Sequence, residues 1–514
     1  MRKVRRAVWP FAAVLAIPLM AGSMPASAAE ATAPLAVENF SYPGAAKILT
    51  DSHVTLKSGD GNIRLADCTS TDNLIEVFSR TFDTGSVKVC FKVTGPSGFL
   101  ALELPKVYSV KGDDHTVKAT LNTGGSVSSI DIKKNLYTPV GEGTSADGTT
   151  LLELNATDGP AAPAVTTDTP AIGSVLVGQP GRPGSRACTA TLVDRYWALT
   201  SAGCFTDTPA TLAAGAPATK STVTIGGKTV DITELVPRTD RDLAMARLAT
   251  PIEDITLAKV ATTAPVAGES LRIPGFGRTA TQWRPTNPHN VTHTAGAVTA
   301  TGLDSTPAAG SSAVCQGDTG APLLRTANGS TEIVAVASRS WLGGCLDAPA
   351  GETRTGAGST RVDNLGTWIQ QTRWRTAQVR NVNTNKCLYV SWRTPDNAAP
   401  ALQVGCDARY IDQVWKLEPV TGGGYQFRNP VTNRCLVVSW RTPEDNAPVT
   451  QYDCNPAWAD QVWYLDPVTG GGYQIRNAVT NKCMYVSWRT PEDGAAVLQY
   501  GCNPAWNDQV WNLS

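Results

Sequence analysis

From Ala29 to about Asp158 the chain is made of short runs in which apolar and polar residues alternate. VKVCFKV from Val87 to Val93 and TVKATL from Thr116 to Leu121 are examples, and Gly, Asp and Ser turns separate them. A period of two sends successive side chains to opposite faces of a strand, so the pattern predicts an antiparallel β domain with one face buried. Its charged residues read as solvated, His53 and His115 stand isolated, and no chemical constellation emerges. That leaves a structural or accessory module. Residues 159–170, GPAAPAVTTDTP, lose the periodicity and read as an exposed linker. A new unit begins near Ala171 and runs to about residue 372.

The last 137 residues, Gln378 to Ser514, hold three copies of one pattern. QVRNVNTNKCLYVSWRTPDN, QFRNPVTNRCLVVSWRTPEDN and QIRNAVTNKCMYVSWRTPEDG start at Gln378, Gln426 and Gln474, with a period of 48 and a closing DQVW in each. A repeat that cannot bury its own apolar face must share a core with its siblings, and three β-rich copies predict a closed threefold arrangement.

The start of the chain carries a different signal. Arg2, Lys3, Arg5 and Arg6 precede an apolar stretch, Ala7 to Met20, and Ala26-Ser27-Ala28 fits a cleavage site. Residues 1–28 read as a secretory signal peptide; the apolar stretch is shorter than the roughly 20 residues of a spanning helix. The chain has 514 residues with 44 basic and 44 acidic side chains, and cleavage removes four basic ones, leaving 40 against 44 and a net charge of −4. This length predicts two to four domains. The balanced charge offers no field for nucleic acid or an anionic membrane, so neither is an expected partner.

Export changes the reading of the twelve cysteines, because in an oxidising compartment an even set forms disulfides. Cys387 with Cys406, Cys435 with Cys454 and Cys483 with Cys502 are each separated by 19 positions. Cys68 with Cys90, Cys188 with Cys204 and Cys315 with Cys345 complete six expected pairs. No CxxC or His-rich cluster points to zinc, and neither a metal nor a cofactor is expected.

Residues 171–372 carry WALTSAGC (Trp197 to Cys204), RDLAMARL (Arg241 to Leu248), GFGRT (Gly275 to Thr279) and CQGDTGAPLL (Cys315 to Leu324), closed by RVDNLGTWIQ (Arg361 to Gln370). In order and spacing these resemble the trypsin-like serine proteases. That resemblance implies a double β-barrel with a cleft between the barrels and a final helix. It also implies a hydroxyl nucleophile, an imidazole base, an orienting carboxylate and oxyanion amides. Here LTSAGC puts Gly203 where the family carries histidine in LTAAHC. GDTGAP puts Thr319 where GDSGGP carries the serine, with Ala321 at the second glycine. Asp242 keeps the carboxylate position, as a chemical group or as a hydrogen-bonding residue of the barrel interface. Gly317 retains an oxyanion N–H, and Asp318 is placed for an internal ion pair.

Without a base a threonine hydroxyl is a poor nucleophile near neutral pH. Loss of one triad member can cost about 10⁶ in turnover, so the domain is expected to be a pseudoenzyme. The alternative is an active secreted endopeptidase anchored to a glycan-rich substrate. His289 and His293, in PTNPHNVTHT, read as surface-loop residues. AIGSVLVG lacks a basic cleavage residue before it, so proteolytic activation is unsupported, and Ala313 stands where trypsin-type pockets carry aspartate. A protein or peptide in the degenerate cleft is a candidate partner.

The tail resembles the ricin B-type lectins, whose β-trefoil carries QxW in each lobe. The motif falls at Gln413-Val414-Trp415, Gln461-Val462-Trp463 and Gln509-Val510-Trp511. The implied partner is a polysaccharide or glycan. Sugar binding needs a flat aromatic face and a few fixed polar groups. Tyr410, Trp458 and Trp506, with Tyr452 and Tyr500, are the candidate platforms. Asp412, Asp460 and Asp508, before each QxW, are candidate acceptors or turn caps. The QxW tryptophans read as core, and Trp392, Trp440 and Trp488 as core or platform. Where the family has CLDV this chain has CLYV, CLVV and CMYV, so Tyr389, Val437 and Tyr485 replace the usual acceptor. A structural or protein-binding trefoil stands as the alternative. The fold class is all-β throughout: an antiparallel β domain, a double barrel and a trefoil.

Overall fold

The computed structural model describes residues 32–82, 85–141, 148–159, 168–327, 329–373, 376–391, 393–407, 409–420, 423–439, 442–487 and 489–513. Residues 1–28, read above as a signal peptide, residues 160–167 of the expected linker, and Trp392, Trp440 and Trp488 lie outside the described residues.

The first domain is a sandwich of two five-stranded antiparallel sheets. One sheet runs in the order Thr55–Gly59, Gly98–Leu104, Thr149–Thr157, Thr116–Thr123, Ser126–Ile132. Alternation does what the pattern predicts: Thr116–Thr123 buries Val117, Ala119 and Leu121 and exposes Lys118. Leu100 and Leu154 of this sheet share a core with Val77 and Val110 of the other. His115 departs from expectation. It is buried, with Nδ1 2.8 Å from Asp113 Oδ2 and Nε2 3.0 Å from the Gly95 carbonyl, so it is a paired core residue and not an isolated one.

The middle domain holds two six-stranded rings. The first closes through Ile172–Val177, Arg186–Asp194, Trp197–Thr200, Ala244–Leu248, Lys228–Pro237 and Ser221–Ile225. In the second, Ser330–Ser340 pairs with both Pro322–Ala327 and Ala357–Arg361, closing a ring that includes Ser270–Gly275, His289–Val298 and Gly302–Pro307. Closure leaves no unpaired edge in either ring. Helix Gly366–Arg373 follows, and its Ile369 packs with Trp197 and Met245 of one ring and Val336 of the other.

The tail closes a third ring from six strands: Ala377–Asn381, Val414–Pro419, Tyr425–Arg428, Trp463–Pro467, Tyr473–Asn477 and Val510–Leu513. Hairpins Cys387–Tyr389/Leu402–Val404, Arg434–Val437/Thr450–Asp453 and Cys483–Tyr485/Leu498–Tyr500 cap it. A six-stranded barrel with three hairpins is a β-trefoil. Trp415, Trp463 and Trp511 are fully buried, and each indole N–H donates to a carbonyl of its own lobe's hairpin, Leu388, Leu436 and Met484. All six expected disulfides are present.

One segment leaves the domain to which its pattern assigned it. Residues 33–38 lie against the middle domain, while Tyr42 reaches the sandwich core. In return Trp283 of the middle domain inserts into that core, edge-on to Tyr42 at 5.0 Å between ring centres. Among the described residues no helix is long and apolar enough to cross a membrane.

Candidate functional site

The cleft between the two barrels begins with Asp242, which follows Arg241 just before strand Ala244–Leu248. Its carboxylate is surrounded by donors. The Ser201 hydroxyl is 2.7 Å from both oxygens, the Gly203 N–H donates to Oδ1 at 2.7 Å, and the Ser338 hydroxyl donates to Oδ2 at 2.5 Å. Ser201 caps the short 3₁₀ turn Ala202–Cys204, and that turn aims the Gly203 amide at the carboxylate. Three donors thus converge on a carboxylate that can accept about four, with Ser201 sharing its hydroxyl between both oxygens. Ser201 and Ser338 were not legible as site residues, because a serine beside an apolar run carries no signal of its own.

Thr319 is fully buried, and its hydroxyl donates to the Ser338 carbonyl at 3.0 Å. The expected surface histidines are both strand residues of His289–Val298. His293 is fully buried between the Ser305 hydroxyl and the Ser312 carbonyl. His289 donates from Nε2 to Asp318 Oδ1 at 3.0 Å. Their apolar neighbours along this strand are drawn into the barrel core, and the alternation carries His293 inward with them. Asp318 also accepts from the Gly277 and Cys315 amides, so its internal pair is made with a histidine of the same barrel. Among the described residues no imidazole bonds Thr319: the other two histidines belong to the sandwich domain.

Burial works against the charged form of His289, but the Asp318 carboxylate, by charge and hydrogen bond, outweighs it and raises the imidazole above its ordinary value. A group whose folded-state value is raised stabilises the fold fully below its unfolded value, about 6.5, and loses that contribution as pH climbs through the folded value. Thermal unfolding of the wild-type protein should therefore fall between about pH 6.5 and the raised value by more than that of a His289→Gln variant. Parallel Tm–pH curves for the two would refute this.

The sequence did not reveal what fills the cleft. The Gly317 and Thr319 amides converge on one oxygen, the carbonyl of Ala36, at 2.7 and 3.2 Å. Gly317 needs its φ of +98°, and a Cβ there would come within 2.8 Å of Gly277 Cα. Glu38 forms a buried, two-pronged ion pair with Arg278, at 2.6 and 2.7 Å. Arg278 lies in the GFGRT motif, and a charge inside an apolar motif was the one available hint that a carboxylate would come to meet it.

In the trefoil each QxW glutamine clamps its own loop: Gln461 accepts from the Asn455 amide at 2.8 Å and donates to the Asp453 carbonyl at 2.8 Å. Asp412, Asp460 and Asp508 sit in the first turn of 3₁₀ helices, largely buried. Their backbone carbonyls accept from Asn429, Asn477 and Asn381 of the next lobe. In the second lobe Tyr452 and Trp458, half exposed with ring centres 5.9 Å apart, line a cavity of about 710 Å³ with Asp460 and Ser439. In the third, Tyr485, Tyr500 and Trp506 form a chain of rings 5.7 and 5.8 Å apart, and with Asp508, Asn446 and Arg489 they line a cavity of about 730 Å³. Burial, then the Asp508 charge, raises the Tyr485 phenol above its ordinary value. The first lobe is poorer: Val404 stands at the Tyr452/Tyr500 position, leaving Tyr410 exposed without a second ring there. Tyr485 joins this ring cluster although its sequence position marks only the loss of the usual aspartate.

Two closed barrels flanking a cleft, joined to a three-lobed trefoil, define a trypsin-like fold carrying a lectin-like module. Comparison with known families agrees. Residues 161–369 match the trypsin family model, and residues 368–452, 411–500 and 459–514 match the model for ricin-type beta-trefoil lectin domain-like sequences. The chain is a trypsin-like domain fused to a ricin-type β-trefoil lectin-like domain. A search of curated proteins finds no relative. Among solved structures the tail is similar to a designed three-fold symmetric protein, ThreeFoil, at 24% identity over 27% of this chain and 96% of that one, with a TM-score of 0.26.

Proposed function

We propose that this is a secreted protein, that its trefoil targets it to a polysaccharide or glycan, and that its trypsin-like domain does not cut peptide bonds. The observation that carries the catalytic half is that the Ser201 hydroxyl and the Gly203 amide bond Asp242 while, among the described residues, no imidazole bonds Thr319. General-base transfer needs an acceptor within hydrogen-bond reach of the nucleophile, and among the described residues the partner of the Thr319 hydroxyl is a backbone carbonyl. The targeting half is supported by the aromatic pairs and aspartates of the second and third lobes, the mixture of flat faces and fixed acceptors that a sugar ring needs. The basic, apolar and small-residue segments of residues 1–28, with six disulfides, support export.

Two measurements test the proposal. The purified chain should neither label with a fluorophosphonate nor degrade casein. Labelling that disappears in Thr319→Ala would establish the alternative, an endopeptidase anchored by its trefoil. In pull-downs on insoluble polysaccharides, Trp458→Ala or Trp506→Ala should weaken retention about tenfold, equivalent to ~1.4 kcal/mol. The double variant should abolish retention, since avidity between lobes goes with the second site. Retention that is unchanged in the double variant, or absent in the wild type, would leave a protein-binding trefoil as the better account.

A further inference from the structure

We propose that the cleft of the trypsin-like domain is a peptide-docking site whose built-in ligand is the chain's own segment 33–38, held across it as an uncut pseudosubstrate. The proposal rests on the non-cutting reading above only in that the Ala36–Val37 bond stays whole.

The segment is extended and pairs with both barrels. On one side the Ala36 N–H donates to the Ser338 carbonyl at 3.0 Å, the Ser340 N–H to the Pro34 carbonyl at 3.1 Å, and Leu35 bridges Arg339. On the other, Glu38 and Ala187 exchange both backbone hydrogen bonds, at 3.0 and 2.9 Å. Between them the Ala36 carbonyl sits on the Gly317 and Thr319 amides. Main-chain pairing of this kind supplies affinity, and the side-chain pockets supply selectivity. Ala36 is fully buried in the same apolar cluster as Ala313, Val314 and Leu342, which leaves room for a small side chain. Glu38 meets Arg278, a carboxylate recognised by a planar two-pronged donor.

Gly203 ties the ligand to the lost chemistry. A Cβ at this position would stand 3.0 and 3.1 Å from the two methyl carbons of Leu35, tighter than ordinary contact. The residue that removes the base is therefore also the residue that admits Leu35. The Thr319 hydroxyl donates to the Ser338 carbonyl, the same oxygen that accepts the Ala36 amide. Together these features select an extended peptide with an apolar residue, then a small residue, and a carboxylate two positions after the small one. Because the chain continues from Ser41, which bridges Ser58, into the sandwich, the docked segment also straps that domain to the barrels.

The test uses the full-length protein and a fluorescent synthetic peptide with the sequence of residues 33–40. Wild type should not bind it, since the cleft is filled. Ala36→Trp, too large for the pocket, should eject the strap and create a binding site. A peptide with Ala in place of the Glu38 residue should bind that variant at least tenfold more weakly. Wild type binding as tightly as the variant, or a folded variant that binds nothing, would overturn the proposal. If Ala36→Trp fails to fold, hydrogen exchange of the wild type decides. The Ala36, Glu38, Ala187, Gly317 and Thr319 amides should be protected together, and rapid exchange at Ala36 and Glu38 would overturn the docking. Intact mass separates the two readings: a chain cut between Ala36 and Val37 that keeps its protected strap refutes the non-cutting domain but not the docking.

Discussion

Glu38→Ala is expected to destabilise the junction of the sandwich and the barrels by about 3–5 kcal/mol, the usual consequence of leaving one member of a buried ion pair without its partner. Arg278 is 1% exposed and lies between Glu38 and the Ser41 carbonyl. Removing Glu38 leaves Arg278 with the half-exposed Asp347 carboxylate at 3.7 Å in place of a buried two-pronged partner, and the Phe40 amide, which donates to Glu38 Oε1 at 2.7 Å, loses its acceptor too. Trp283 lies next to this pair and is buried in the sandwich core; hydrogen exchange of the amides of residues 38 and 40 across a urea series reports on the junction. The variant should show an early transition, and Glu38→Ala with Arg278→Met should recover most of the loss, because replacing both charges with apolar groups removes the desolvation cost. A single variant whose urea profile matches the wild type would mean that the pair is not the element that holds the junction.

The second large effect is a gain. Ser201→Ala with Gly203→His and Thr319→Ser should restore labelling by a fluorophosphonate. The alanine vacates the acceptors of Asp242 for an imidazole, and the serine removes the extra methyl from the attack path. The loss of nucleophile and base costs on the order of 10⁶ in turnover, and a positioned base alone contributes about 10²–10⁴, so even partial restoration is measurable. The strap is the first peptide bond in reach. The serine oxygen attacks the Ala36 carbonyl carbon and its proton passes to the imidazole. The bond to the Val37 nitrogen then breaks as that nitrogen takes the proton, and water releases the acyl group. Cleavage after Ala36 should therefore appear by mass before any cut in added casein. The Cβ at position 203 alone requires Leu35 to yield a few tenths of an ångström, and the imidazole ring beyond it requires the Leu35 side chain to turn aside. A folded triple variant with neither labelling nor a cut strap would show that the cleft lacks catalytic geometry even with its residues returned.

Several features could be read directly. The 48-residue repeat and the three cysteine pairs specified a threefold closed ring, because each lobe leaves an apolar face that only its siblings cover. The QxW tryptophans were legible as core, since a large ring beside alternating apolar residues has nowhere else to go. Gly203 and Thr319 were legible because the motifs around them are otherwise intact. His289 was not: its loop-like neighbours, Pro and Asn, masked a strand, and its pairing with Asp318 depends on how the loop before strand Pro322–Ala327 folds against the start of strand His289–Val298. Tyr485 was not either, because its part in an aromatic cluster depends on Tyr500 and Trp506 folding beside it.

By itself, then, the sequence marked what the middle domain is proposed to lack: the chain holds four histidines, and Gly203 stands where the LTAAHC pattern carries one. Only the tertiary structure decided what fills the cleft. The Ala36 carbonyl meets two amides, and Glu38 meets Arg278 across 240 positions of chain. Backbone hydrogen bonds are made by groups that every residue carries, so no residue type announces them. Chemistry that depends on a side chain can be missed or found by reading the chain. A ligand held mainly by its backbone becomes visible only when the barrels have closed around it.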